Sequence, residues 1–194
     1  MIGDGFDDVL AAARRGDEWA WTTVYRDLAP VLLGWLRSQR APVPEDLVSE
    51  VLLQVVRDLS QFAGGESSFR SWVFTIARNR TIDQRRHDQR HPSVCFEDDD
   101  LVRLGEAGDD ASLHAVEGVT TDELVELLAG LTEAEREVLT LRYVAGLSQR
   151  ECAEVLAKTL NNVKQIQKRG LRSLRAHAAG LAYPFAGDTT LSET

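Results

Sequence analysis

The sequence predicts an all-α protein: two small helical domains joined by a flexible acidic linker, the C-terminal one a helix-turn-helix. Apolar residues recur at three- and four-residue steps from Phe6 to Ile76 and again from Val138 to Leu174, with few strand signals. Two Ser/Thr-x-x-Glu starts, Thr132/Glu135 and Ser148/Glu151, follow one another at short range. Between the two periodic halves, residues 92–120 have little periodicity, several glycines and dense acid. The expected boundaries are 1–91 for the first domain, 92–120 for the linker, 121–179 for the second domain and 180–194 for a tail.

Each helix has its own local cause. Phe6, Val9, Leu10 and Ala13 share one helical face, and Gly16 closes that segment. From Asp17, the stripe Ala20, Val24, Leu28, Leu32 and Trp35–Leu36 predicts a long second helix. Pro42 and Pro44 break it, and Pro44 suits the first position of the next. That third helix carries Leu47, Val51, Val55 and Leu59 on one side and Asp46, Glu50 and Gln54 on another. Gly64–Gly65 and the following serines turn the chain. A fourth helix then presents Phe69, Trp72, Val73 and Ile76 inward and ends in RNRTIDQRRHDQRHP.

A short helix is expected near 121–129. In the next, Thr132 and Glu135 satisfy free first-turn amides, Val138, Leu139, Leu141 and Tyr143 follow, and Gly146 ends it. Ser148 and Glu151 open a short helix with Cys152, Ala153, Val155 and Leu156. After Ala157–Lys158–Thr159 a last helix runs from about Leu160 to Ala179, with Val163, Ile166 and Leu174 facing the core. Helix, three-residue break, helix is the geometry of a helix-turn-helix. The tail AGLAYPFAGDTTLSET is too short for a domain.

The chain has 194 residues, 43% hydrophobic and 27% charged, a globular composition. No apolar run approaches the roughly 20 residues a membrane span needs, so no membrane insertion is expected. The start, MIGDGFDDVL, lacks the basic region and apolar core of a secretory signal, which predicts a cytoplasmic protein. Cys95 and Cys152 lie far apart without metal-ligand spacing, as suits a reducing compartment. No metal, cofactor or small-molecule substrate is expected.

A net charge of −9 argues at first against a nucleic-acid partner, but its distribution argues the other way. Residues 95–126 hold Glu97, Asp98, Asp99, Asp100, Glu106, Asp109, Asp110, Glu117, Asp122, Glu123 and Glu126 against Arg103 alone. Residues 160–178 hold Lys164, Lys168, Arg169, Arg172 and Arg175 and no acid. Arg78, Arg80, Arg85, Arg86 and Arg90 form a second basic cluster, diluted by Asp83 and Asp88.

In a helix-turn-helix the second helix enters the major groove and its N-terminal residues reach base edges. Here those are Leu160, Asn161, Asn162, Lys164 and Gln165. Asn and Gln pair bidentately with adenine, while Lys favours guanine acceptors. Lys168, Arg169, Arg172 and Arg175 continue at three- and four-residue steps, placing several near one backbone. A basic helix alone could be a solvated cap on a bundle. The capped short helix and turn ahead of it favour DNA.

The segment GLSQRECAEVLAKTLNNVKQIQKRGLRSLR, preceded by LAGLTEAEREVLTLRYVAGLS, resembles region 4 of the extracytoplasmic-function sigma factors, specificity subunits of bacterial RNA polymerase. ARRGDEWAWTTVYRDLAPVLLGWLR resembles the start of region 2, PEDLVSEVLLQVVRDLSQF its polymerase-binding helix, and SSFRSWVFTIARNRTIDQRR its promoter-melting and −10 helix. The likeness spans about residues 7–90 and 121–178, in the family's order.

The resemblance implies that Asp46, Glu50 and Gln54 dock on the β′ clamp helices of core RNA polymerase, with the C-terminal domain reaching the β flap. It implies promoter −10 contacts by Ser67, Ser68, Arg78, Asn79, Arg85 and Arg86, and −35 contacts by Asn161, Asn162, Lys164, Gln165, Lys168, Arg169 and Arg172. The loop Gly64–Gly65–Glu66–Ser67–Ser68 would line a pocket for an extruded base, with cations holding the exposed strand. Trp72 is either a stacking platform or, from its phase with Phe69 and Ile76, a core residue. Asp83 pairs with a neighbouring Arg on its own helix. The acidic linker is either a tether or a segment threading the polymerase cleft. An anti-sigma protein, which restrains many members of that family, is a further implied partner.

The pattern is broken in places. Ala157 replaces a frequent Gly at the turn, where a left-handed conformation costs about 1 kcal/mol. Asn161 and Asn162 replace small residues, and Ser49 replaces a frequent Gln. Two other classes remain: a repressor or activator acting without polymerase, which leaves the N-terminal helices unexplained, and an enzyme holding metal at Asp46 and Glu50 or at Asp98–Asp100. The second lacks convergent His or Cys ligands and a nucleophile–base pair, so no catalytic activity is expected.

Overall fold

The computed structural model describes residues 2–90 and 127–180. The expected linker, Cys95, the first part of the helix near 121–129 and the tail lie outside the described residues. Among those described, the regular structure is helical. The helices are α1 (Phe6–Arg15), α2 (Glu18–Ser38), α3 (Pro44–Asp58), α4 (Glu66–Arg90), α5 (Glu133–Tyr143), α6 (Gln149–Val155) and α7 (Leu160–Gly180). Short 3-10 turns cover Gly3–Gly5 and Leu59–Gln61, and residues 127–129 are helical.

The boundaries follow the expected chemistry. Gly16 caps α1 in the left-handed conformation, φ 87°, a region where a side chain is strained. Pro44 opens α3, where its missing amide hydrogen is no loss. Both capping boxes are formed: the Thr132 hydroxyl accepts from the Glu135 amide, and Ser148 from Glu151, with each glutamate reaching back. The turn before α7 is capped too, by the Thr159 hydroxyl accepting from the Asn162 amide at 3.2 Å. Ala157 does adopt φ 50°. Pro30, inside α2, is a helix-interior proline that sequence periodicity passed over.

The α1–α4 core gathers Val24, Leu28, Leu32, Trp35, Leu36, Val51, Val55, Phe69, Val73 and Phe74, all essentially without solvent contact. Edge-on contact between Trp35 and Phe74, centroids 5.7 Å apart, fixes α2 against α4. The same apolar cluster continues without a break into Val138, Leu141, Ala145, Leu147, Cys152, Val155, Leu156, Val163 and Ile166. Thus the two halves, expected as separate domains, pack on one another, α4 against α6 and α2 against α5. A smaller cluster of Leu128, Leu131 and Leu139, with Leu171 and Leu174, joins α5 to the later turns of α7.

Four residues sit differently from expectation. Trp72 and Ile76 are only partly buried, while Phe74 takes the fully buried position on α4. Tyr143 is 57% exposed; its hydroxyl accepts from Gln167 rather than entering the core. Gln54 is half-buried, not outward: its oxygen accepts from Arg80 at 3.1 Å and its nitrogen donates to Asp58. A polar residue on a helix flank is drawn inward when partners on neighbouring turns satisfy it.

Candidate nucleic-acid interface

The basic helix α7 is held by its inner face. Val163 and Ile166 are buried, while Asn161, Asn162, Lys164, Gln165, Lys168, Arg169, Arg172 and Arg175 are all exposed. Two devices set its angle. Gln149 of α6 donates to Gln167, and Gln167 donates to Tyr143 of α5, at 2.9 and 3.1 Å, tying three helices at one crossing. Further along, Gly170 lets α7 approach α5 closely, since a Cβ there would lie 3.1 Å from Leu139 Cδ1 and 3.2 Å from Glu135 Cβ.

Glu135 is the anchor of this arrangement. It is 2% exposed and accepts from Arg169 Nε at 2.7 Å and from the Thr132 amide at 3.1 Å. Burial works against its charge, yet the bonds from Arg169 and Thr132 hold the carboxyl below its ordinary value. Arg169 therefore braces α7 with one nitrogen, while 60% of its side chain stays open to solvent. Lys164, Lys168, Arg172 and Arg175 enter no ion pair among the described residues. They form an unneutralised stripe, as phosphate contact requires. Cys152 sits at the core of the α6 turn, its thiol pushed up to about 12 by burial, so it is structural.

On α4 the six residues expected at the −10 element do not share a face. At about 100° per residue, Ser67, Arg78 and Arg85 fall on one stripe and Ser68, Asn79 and Arg86 on the next. The second stripe is exposed, with Arg86 weakly paired to Asp83 at 3.7 Å. The first lies against the C-terminal half. Ser67 donates to Glu151, Arg78 to Glu137 at 3.1 Å, and Arg85 to Glu133. Sequence reasoning missed these partners because they lie 84, 59 and 48 positions away.

Buried polar residues reinforce the seam. Arg70, 6% exposed, pairs with Asp27 at 2.8 Å and donates to the Ala145 carbonyl. Gln39 donates to the Thr140 hydroxyl at 3.0 Å, and the Arg85 guanidinium to the Gln39 carbonyl at 2.7 Å. Arg136 is buried beside the seam with its Nε unpaired. Burial, then the nearby guanidiniums of Arg40 and Arg85, lower its affinity for its proton, with Glu133 opposing.

Beside the start of α4 an open cleft of about 330 Å³ is lined by Asp58, Gln61, Phe62, Ala63 and Trp72. Phe62 stacks on Trp72, centroids 5.1 Å apart and planes 26° apart. The cleft lies on the turn ahead of Ser67 and Ser68, and its aromatic wall is Trp72, partly buried and packed against the core cluster. On α3, Asp46 and Glu50 are exposed as expected. Leu53 and Val56, 55% and 48% exposed, extend the same outer surface and were overlooked, because apolar periodicity assigns such residues to a core.

Two family models match the chain in order: Sigma-70 region 2 over residues 24–91 and Sigma-70, region 4, over residues 127–176. The ECF RNA polymerase sigma factor ShbA of Streptomyces griseus is 30% identical over 174 residues, covering 86% of this chain and 91% of that protein. The ECF RNA polymerase sigma factor SigD of Mycobacterium tuberculosis is 27% identical over 184 residues, covering 90% and 84%. Among solved structures, the sigma factor RpoE of Bartonella quintana, in complex with the anti-sigma factor NepR, superimposes with a TM-score of 0.62 at 21% identity, covering 81% of this chain and 96% of that one. The chain belongs to the ECF family of RNA polymerase sigma factors.

Proposed function

We propose that residues 1–91 form the polymerase-docking and −10 module, 121–179 the −35 module, and that 92–120 connects them and 180–194 trails as a tail. The chain binds core RNA polymerase and directs promoter-specific initiation, as its family does. The observation that carries the residue assignment is the unneutralised stripe Lys164, Lys168, Arg172 and Arg175 on a helix whose inner face is locked to α5 and α6. Asn161, Asn162, Lys164 and Gln165, at the free start of α7, read base edges of the −35 element; Lys168, Arg169 and Arg172 hold its phosphates.

Asp46 and Glu50, with Leu53 and Val56, form the polymerase-facing surface of α3. Acids there suit basic partner residues, and the exposed apolar pair supplies burial of about 25 cal/mol per Å². Gln54, bonded to Arg80, orients α3 on α4. Ser68, Asn79 and Arg86 meet the −10 strand directly, and the Phe62/Trp72 cleft receives an extruded base by stacking. Ser67, exposed at the start of the same helix, and the half-buried Arg78 and Arg85 complete that surface.

The work is binding and strand separation, in a cytoplasmic setting, with no bond-making step. Among the described residues no helix is long and apolar enough to cross a membrane. An anti-sigma protein is a further partner, as NepR is of the Bartonella protein. In vitro transcription with purified core polymerase and a promoter library tests the reading. Selective initiation dependent on this chain is expected, and failure to form holoenzyme or to initiate selectively overturns it.

A further inference from the structure

A hydrogen-bond relay beside the basic helix ends on an exposed hydroxyl. Gln149 Nε2 donates to Gln167 Oε1 at 2.9 Å, and Gln167 Nε2 donates to the Tyr143 hydroxyl oxygen at 3.1 Å. Both bonds run the same way, so the Tyr143 oxygen is the last acceptor of the chain. A phenol donates as well as accepts, and its own hydrogen meets no acceptor among the described residues. Tyr143 is exposed, which leaves that hydrogen for a partner outside the chain. The ring is held too: the Arg142 guanidinium lies 5.9 Å from its centroid and donates to the Leu147 carbonyl. A side chain fixed at its oxygen and at its ring loses little further freedom on binding.

The place of the hydroxyl says what that partner is. Gln167 follows Lys164 by one turn on α7, so the two are neighbours on one flank of the helix. Lys164 is exposed and enters no ion pair among the described residues, and residues 160–178 contain no acid. An acceptor for the Tyr143 hydrogen therefore sits beside an unneutralised ammonium, where a phosphate oxygen is the favoured group. We propose that Tyr143 is itself a promoter contact. Its hydroxyl donates to one backbone phosphate at the edge of the −35 element, and Gln149 and Gln167 are positioning residues that aim it there. The proposal rests on the −35 assignment of α7. A neutral donor displaces no counterion, so Tyr143 fixes the register of α7 on the duplex without adding to the salt dependence of binding.

The test uses holoenzyme and a set of −35 duplexes, each carrying one uncharged methylphosphonate in place of a backbone phosphate. Affinity is measured at several salt concentrations for wild type and for Tyr143→Phe, which keeps the exposed ring and removes only the hydroxyl. On unmodified DNA, Tyr143→Phe is expected to bind about tenfold more weakly, as for one hydrogen bond to a charged group, with an unchanged salt slope. At one methylphosphonate position wild type should lose about tenfold and Tyr143→Phe less than about twofold further, since the contact is already gone. At every other position the two should lose alike. Tyr143→Phe binding as tightly as wild type overturns the proposal. So does a loss that adds equally at every position, or a flattened salt slope, because either describes a loosened α7 rather than a lost contact. Gln167→Glu tests the aim: its carboxylate accepts the Tyr143 hydrogen and turns it inward, so the position-specific loss should vanish although the phenol remains. A loss that persists there counts against the relay. The −35 assignment fails separately, if no methylphosphonate around that element weakens wild-type holoenzyme.

Discussion

Removing Lys168 and Arg172 together probes the −35 helix most sharply. Both are exposed, one turn apart on α7, with no ion pair among the described residues, so their loss leaves no buried charge behind. Each phosphate held on duplex DNA adds about 0.9 to the slope of log affinity against log salt. Truncating both side chains therefore flattens the slope by about 1.8 units. Between about 50 and 200 mM salt the wild type loses roughly twelvefold more affinity than Lys168→Ala/Arg172→Ala does. The assay is titration of holoenzyme on −35-containing duplex at several salt concentrations. Arg169→Ala is the contrast: it strips the buried Glu135 of its charged partner and should lower folding stability by about 1–3 kcal/mol. A double variant with an unchanged slope refutes the phosphate assignment, whatever its affinity.

Gly170→Val places branched methyl groups against Leu139 and Glu135, where even a Cβ is tight, and should cost about 2–3 kcal/mol in denaturant unfolding. Leu53→Ser/Val56→Ser, at exposed positions, should change stability by less than about 0.5 kcal/mol while weakening holoenzyme assembly in a polymerase pull-down. Glu135 and Glu151 are both held below the ordinary 4.5, Glu135 by Arg169 and Thr132 and Glu151 by Ser148 and Ser67, in each case against burial. A carboxyl depressed in the folded state stabilises above its unfolded value and loses that contribution as pH falls through its folded one. The melting temperature should therefore fall as pH drops below about 4.5, less steeply in Glu135→Gln.

Helix ends were legible because single residues cause them. Gly16, Pro44, the boxes at Thr132 and Ser148 and the turn at Ala157 all act locally, and each sits where its chemistry places it. Apolar stripes were legible for the same reason, down to Val163 and Ile166 beneath α7. What periodicity does not encode is a polar seam. Ser67, Arg78 and Arg85 read as equivalent to Ser68, Asn79 and Arg86, since both stripes are polar and one residue apart. Only distant glutamates distinguish them. Arg70, Gln39 and Thr140 were opaque on the same ground: each is buried because a long-range partner satisfies it. Tyr143 is the opposite case, a large ring on an apolar stripe left at the surface, and Leu53, which the stripe did not include, is exposed too. The seam thus carries the information that the sequence withheld, and it is where the two modules meet.

The most direct measurement is permanganate reactivity of promoter thymines around the −10 element in the presence of core polymerase. With this chain, those thymines should become reactive; with polymerase alone they should not. Arg78→Ala/Arg85→Ala should restore protection while duplex binding through α7 persists. Full reactivity in that variant, or none with the wild-type chain, contradicts the assignment of strand opening to α4.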